Sequence, residues 1–299
     1  MDSLNAPGTR RATAVPFADG VGAEIRGLDV KAGLGPDDYR LVRETLDEHG
    51  VVVLRGQEIS PDAQREFAAG IGILRPQVYS RYSLPGHAEV LMVSNIKKDG
   101  QDIGISDAGS MWHSDGAFLR EPDMYSLLYG VRIPRRAGMP LGDTLFASVW
   151  QAYEALDEDT KQQVAGLRGI NSFSWHLEKK AKQGTLRRAP LTAEQKALTP
   201  DIEVPVVRRH PHTGRPCVYV NEAHTCGIAG MPQPEAQALL RRLWAHIVSP
   251  QFVHRHRWSE GDLVIWDNCA VQHLATFDYD DIPRLMHRTG TLGPMPVAY

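Results

Sequence analysis

The chain has 299 residues, 42% of them hydrophobic and 23% charged, the balance of a globular protein with a substantial core. A formal charge of −3 excludes the basic excess of a dedicated nucleic-acid binder, and no apolar run nears the roughly 20 residues of a membrane helix, so neither partner is expected. Cys217, Cys226 and Cys269 are odd in number and lack zinc-finger spacing. Free thiols in a reducing compartment are therefore expected, and the N-terminus lacks a signal peptide's apolar core, which together point to a cytoplasmic enzyme.

Residues 1–15 read as a frayed leader. Ala23–Val30 alternates Ile25, Leu28 and Val30 with polar residues and predicts a strand. Pro36-Asp37-Asp38 opens a helix whose apolar positions Tyr39, Val42 and Leu46 recur at helical spacing until Gly50 ends it. Val51–Arg55 is a buried strand by its β-branched run, and Ser60-Pro61 caps a second helix. Glu89–Asn95 holds another strand. Ile96–Ser110 is a polar connection, either a gate over a nearby site or a mobile surface loop, and it runs into Met111–Phe118. Strands at Met124–Ile133 and Thr144–Ala147 and a helix from Trp150 to about Leu167 follow. Residues 176–200 are rich in lysine and arginine and read as a solvated insertion rather than a patch for acidic partners. Pro234–Val248 carries one apolar stripe, and short strands close the chain at Phe252–Trp258, Leu263–Trp266 and Arg284–Leu292.

Many short strands with a few covering helices predict a mainly β fold, a sandwich or barrel core in a single domain, residues 1–299. No strand runs into a Gly-x-Gly-x-x-Gly helix start, which disfavours a Rossmann fold. On an extended strand His113 and Asp115 point the same way, so they offer two neighbouring ligands to a divalent metal. The same His-x-acid pattern occurs at His87/Glu89, in a turn, and at His176/Glu178, in a helical stretch where residues two apart diverge. His254 and His256 share a strand face without an evident acid partner, and His210 and His212 flank Pro211 in a surface-like turn. His273 follows the apolar strand Leu263–Trp266. Arg284 and Arg288 lie four apart, so in a strand both face one way, where each needs an anion or a structural salt bridge.

His113-Ser114-Asp115, Gly142-Asp143-Thr144, Trp266-Asp267-Asn268 leading to His273, and Arg284 to Arg288 resemble, in that order, the iron(II)/α-ketoglutarate-dependent dioxygenases. The resemblance spans nearly the whole chain and is to the branch holding taurine dioxygenase and the aryloxyalkanoate (dichlorophenoxyacetate-type) dioxygenases. It implies a double-stranded β-helix (jelly roll), with His113, Asp115 and His273 as catalytic iron ligands. It further implies Thr144 and Arg284 at the distal carboxylate of α-ketoglutarate (2-oxoglutarate), and Arg288 at the substrate anion or helping to anchor the co-substrate. The implied reaction consumes O2, decarboxylates α-ketoglutarate to succinate and CO2, and hydroxylates a C–H bond of a small organic anion. Related enzymes are often dimers or tetramers, so a homo-oligomer is expected.

Two departures bear on the substrate. Arg75-Pro76-Gln77 stands where taurine dioxygenases have a histidine, and Gly109 where they carry an asparagine. The stretch from Tyr219 to Pro232 leans toward the aryloxyalkanoate side, with His224 near an aromatic pocket position. Two other classes stay open: a jelly-roll binding protein that has lost catalysis, and a zinc hydrolase built on His254/His256.

Overall fold

The computed structural model describes residues 12–76, 80–186 and 192–299. Its fold is mainly β with covering helices. An eight-stranded major sheet runs in the order Thr13–Pro16, Ala23–Arg26, Val51–Leu54, Leu263–Asp267, Asp123–Arg132, Leu285–Leu292, His87–Ser94, Ser83–Leu84. A three-stranded minor sheet places Thr144–Ser148 between Val253–His256 and Val271–Ala275, both antiparallel to it.

Strand periodicity explains how these layers stack. Val51–Leu54 lies antiparallel to Leu263–Asp267 at the centre of the major sheet, and successive side chains leave by opposite faces. Val52, Leu54 and Ile265 pack beneath the helices Pro36–His49 and Pro61–Ile71, against Val42, Leu46 and Phe67. Val51, Val53, Val264 and Trp266 meet Phe146, Val271 and Trp258 on the other face, where the minor sheet lies. Both faces are covered, which is why these strands read as unbroken apolar runs. A third sheet, of Ile202–Pro205, Arg168–Asn171 and Thr225–Ile228, adjoins the helix Gln233–Ile247, whose Leu239, Leu240 and Leu243 share a core with Ile228 and Val218.

Local signals set the helix ends. Ser60 Oγ accepts from Ala63 N at 3.1 Å, and Pro61 occupies the first turn. Gly50 ends the first helix at φ 74°, where a Cβ would lie 2.9 Å from Val271 Cγ1, so strand and helix can meet there only at glycine.

Several expectations are corrected. Met111–Phe118 is not a strand: His113 forms a single bridge to His273, and the chain then turns through Gly116 at φ +67°. The expected helix from Trp150 to Leu167 is two, Val149–Glu154 and Glu158–Val164, because Asp157 caps a new start by accepting from Thr160 N at 2.6 Å. Thr13–Pro16 is a strand rather than leader, and residues 1–11 lie outside the described residues. Within the expected insertion, Phe173–Lys182 is a helix with Lys180 buried, while 187–191 lie outside the described residues. His210 is buried rather than surface, 3.0 Å from Asp267 Oδ2. His254 and His256 do have acid partners, but separate ones, Asp19 and Asp262. His87 lies on a strand rather than in a turn, beside Asp62.

Candidate active site

One backbone contact joins two distant parts of the chain. His113 N donates to His273 O at 3.2 Å, and His273 N returns the bond to His113 O at 2.8 Å. His273 belongs to Val271–Ala275, opposite Phe146 of the central minor strand. The reciprocal pair sets the two imidazoles side by side, with ring centroids 4.1 Å apart. The turn after Ser114 then brings Asp115 back to both rings. His113 Nε2 is 3.6 Å from Asp115 Oδ1, and His273 Nε2 is 3.8 Å from Oδ2. His113 Nδ1 faces two carbonyl oxygens, of Met111 at 2.9 Å and His273 at 3.1 Å. Both can only accept, so Nδ1 carries a proton and Nε2 is the nitrogen that faces Asp115.

Asp115 is itself held from several sides. Ser126 Oγ donates to Oδ2 at 2.7 Å, and Arg288 Nη2 lies 2.9 Å from the same oxygen. Asn268 Oδ1 accepts from Asp115 N at 3.0 Å and from Trp266 Nε1 at 3.1 Å, while its Nδ2 donates to Ser126 Oγ at 3.0 Å. Burial alone would push the Asp115 carboxyl up, but Arg288, His273 and His113 together hold it well below the usual carboxylate range. Burial, reinforced by His113, pushes the His273 imidazole well down. His273 therefore presents a neutral nitrogen beside the ionised oxygen of Asp115, the protonation states a divalent metal requires.

Every other residue the sequence singled out for the site lines the same cavity: Thr144, Arg284, Arg288 and His224. Thr144 Oγ1 accepts from the buried Trp258 Nε1 at 3.0 Å, which leaves the hydroxyl proton for an acceptor in the cavity. Arg284 is buried, its guanidinium against Tyr279 and its Nη2 donating to Gly142 O at 3.4 Å, with Nε unpartnered. At Gly142, φ +77°, a Cβ would lie 3.0 Å from Arg284 Nε, so glycine makes room for the guanidinium. A buried arginine with a spare donor calls for an anion. Arg288 is otherwise engaged: Nη2 donates to Asp123 Oδ2 at 2.7 Å as well as meeting Asp115, and Nε is unpartnered. Arg75 pairs with the other oxygen of Asp123, so two arginines share this one carboxylate.

The opposite wall is aromatic. Phe118 stacks on Phe173 at 4.3 Å and lies 5.1 Å from His224, which in turn lies 4.9 Å from His176. Burial, with His176 and His113 adding to it, pushes His224 well below the ordinary imidazole range, so it joins this wall neutral. The sequence reading set His176 aside because Glu178 diverges from it. The helix instead turns Phe173, His176 and Lys180 to the cavity, a spacing of three and four that the sequence already carried. The sequence carries no sign of Asp123, Ser126 and Trp258 at the site, since residues scattered over the chain have no local pattern, and it offers Arg75 and Asn268 only within quoted stretches, without a role. Lys180 Nζ meets Asp107 Oδ2 at 2.5 Å and ties this helix to the loop ahead of His113. Gly109 in that loop has φ +82° and would set a Cβ 3.2 Å from that of Ala275, a backbone reason for the absent asparagine.

A second buried group, His210, Asp267 and Cys269, brings metal-binding atoms together inside the core. Its hydrogen bonds already brace the turn toward His273: Asp267 Oδ1 accepts from Cys269 N at 2.6 Å and from Ala270 N at 3.3 Å.

A mainly β fold with a half-buried His-x-Asp and a distant histidine, beside an unpaired arginine, fits the class of metal- and ketoacid-dependent oxygenases. Residues 13–289 match the family described as "Taurine catabolism dioxygenase TauD, TfdA family", and the chain belongs to it. It is 33% identical over 261 residues to the α-ketoglutarate-dependent 2,4-dichlorophenoxyacetate dioxygenase of Cupriavidus pinatubonensis, covering 84% of this chain and 87% of that one. Over 287 residues it is 28% identical to the α-ketoglutarate-dependent sulfate ester dioxygenase of Pseudomonas putida, covering 95% and 90%. The crystal structure of AAD-2 in complex with Mn(II) and N-oxalylglycine superposes with a TM-score of 0.79 at 28% identity, covering 96% and 99%. The chain is thus an iron(II)- and α-ketoglutarate-dependent dioxygenase. No helix among the described residues is long and apolar enough to cross a membrane.

Proposed function

We propose that His113, Asp115 and His273 hold the iron(II), that Thr144 and Arg284 hold the distal carboxylate of α-ketoglutarate, and that Arg288 faces the anionic group of a small organic substrate. The observation that carries this reading is the pairing of a ligand-ready His-Asp-His cluster with a buried, unpartnered Arg284 Nε in one cavity. With iron and ketoacid bound, the site supplies the oxidising power to hydroxylate a C–H bond, with succinate and CO2 released. The protein's own work is positioning. Arg284 and the Thr144 hydroxyl fix one end of the ketoacid, Asn268 and Ser126 fix Asp115, and the apolar wall keeps water from the reacting centre.

The substrate we infer is an aryloxyalkanoate, sulfonate, alkyl sulfate or other carboxylate, its body against Phe118, Phe173 and His224 and its anion toward Arg288. The two main sheets are read as the halves of a double-stranded β-helix, and 96–110 with the helix Phe173–Lys182 as the segments over the mouth of the cavity. The zinc-hydrolase reading loses its support because His254 and His256 are engaged with different acids. The free thiols accord with a cytoplasmic location. The test is succinate formation across such anions under iron and oxygen, with His113→Ala and Asp115→Ala beside the native protein. Turnover that survives both substitutions would sink the assignment of the ligands.

A further inference from the structure

The charges around the cavity carry information about the substrate that no single residue does. Among the described residues four cations and three carboxylates line it. Lys180 and Asp107 are paired with each other. Asp115 offsets one of the two charges of a bound divalent ion, and Arg284 adds one, so these together balance the two negative charges of α-ketoglutarate. What is left is Arg75, Arg288 and the single carboxylate between them. Asp123 is 3% exposed, with one oxygen on each guanidinium.

From this juxtaposition we propose that Asp123 is the charge selector of the substrate site: it leaves one uncompensated positive charge, so the site takes a singly charged anion and rejects a doubly charged one. This rests on the reading that Arg288 faces the substrate. Asp123 does not touch the reacting centre. It acts through the two arginines, cancelling half of their charge and holding both guanidiniums at fixed positions. A second negative charge brought into this buried space would find no further cation among the described residues to offset it, and burying an uncompensated charge is costly. Replacing Asp123 by its neutral isostere frees the second arginine, and the site then balances two negative charges instead of one.

The test uses a pair of ligands matched in shape and unequal in charge. Benzylsulfonate carries one negative charge, and benzylphosphonate is doubly charged at about pH 8.5. Binding of each is measured by calorimetry, without oxygen, to the full chain loaded with Mn(II) and α-ketoglutarate, so the readout is affinity rather than turnover. The native protein is expected to prefer the sulfonate by about tenfold or more, the scale of one nearby charge at a partly buried site. Asp123→Asn should move that ratio toward the phosphonate by about tenfold or more, and Asp123→Glu should restore it. Arg75→Gln, which empties the site of its spare charge, should weaken both ligands and the phosphonate more. This variant decides the matter on its own if Asp123→Asn does not fold. Equal binding of the two ligands by the native protein overturns the proposal, as does an unchanged ratio in folded Asp123→Asn. If the native protein binds neither anion yet binds neutral benzyl alcohol, the anionic-substrate reading itself has failed. If the sulfonate binds through Arg288 and only the ratio fails to move, Asp123 alone has lost its role.

Discussion

Asn268→Ala is the substitution that separates holding a metal ligand from being one. Asn268 is 2% exposed and never enters the cavity wall, yet its amide is a hub. Removing it orphans the Asp115 N–H and the Trp266 Nε1–H and takes one of two donors from Ser126 Oγ, which keeps Arg288 Nη2 at 3.2 Å. Each buried partner left unpaired costs about 1 kcal/mol or more, so with two of them a loss of roughly 2 kcal/mol in folding stability is expected. The effect at the site is separate from that loss. With the Asp115 N–H released and Ser126 held by Arg288 alone, the carboxylate keeps its side-chain contacts but loses its backbone anchor, and metal affinity should fall about 10- to 100-fold, the usual scale for removing the group that orients a ligand. Titration of the metal-free protein with Mn(II), followed by its paramagnetic resonance signal, gives the affinity, and urea unfolding of the metal-free form gives the stability. A variant that loses stability but binds Mn(II) as the native protein does would refute the argument that Asn268 orients Asp115.

Three further outcomes follow from the same geometry. Arg284→Gln removes the buried guanidinium while keeping a polar side chain, and should weaken α-ketoglutarate binding by about 2–4 kcal/mol, or roughly 30- to 1000-fold; anaerobic equilibrium dialysis measures it, and an affinity within a few-fold of native would disprove the assigned role. Lys180→Ala removes the buried ammonium that meets Asp107 and should cost about 1.5–3 kcal/mol in urea unfolding, whereas a cost below about 1 kcal/mol would show that the pair is solvated in solution. Burial holds His224, His256, His273 and His287 below the ordinary imidazole range. The unfolded chain therefore takes up protons first as pH falls through about 6.5, and stability of the metal-free protein, full above that pH, should drop below it by up to about 1.4 kcal/mol per pH unit for each such histidine. Unfolding midpoints between about pH 7.5 and 5.5 check this, and a flat profile would contradict the depressed histidines.

Periodicity exposed what is local in this fold and hid what is not. The helix Pro36–His49 was legible to within a residue because proline, two acids and a terminal glycine mark its ends, and Val51–Leu54 because only a strand covered on both faces carries four apolar residues in a row. His113 and Asp115 were legible as a pair, but the reason given, a shared strand face, was the wrong geometry. The turn at Gly116 brings them together, and neither residue type nor spacing reveals a positive φ. The helix break at Asp157 escaped notice because apolar residues continue at helical spacing across it while a capping acid restarts the hydrogen bonding. Asp123 and Arg75 stand 48 positions apart and meet only because Leu285–Leu292 lies between their segments and supplies Arg288. Their partnership is a property of sheet order, which no window of sequence contains.

The bridge between His113 and His273 also has a bearing on biosynthesis. It closes a loop of 160 residues with two hydrogen bonds, and the strand that supplies His273 pairs with Thr144–Ser148 only after most of the chain has been made. On the proposed ligand set, a metal held by both imidazoles cannot be captured by an emerging N-terminal half, nor by a chain halted before Val271–Ala275 is added. On that ligand set loading follows synthesis of Val271–Ala275, and a filled site marks a chain whose minor sheet has closed.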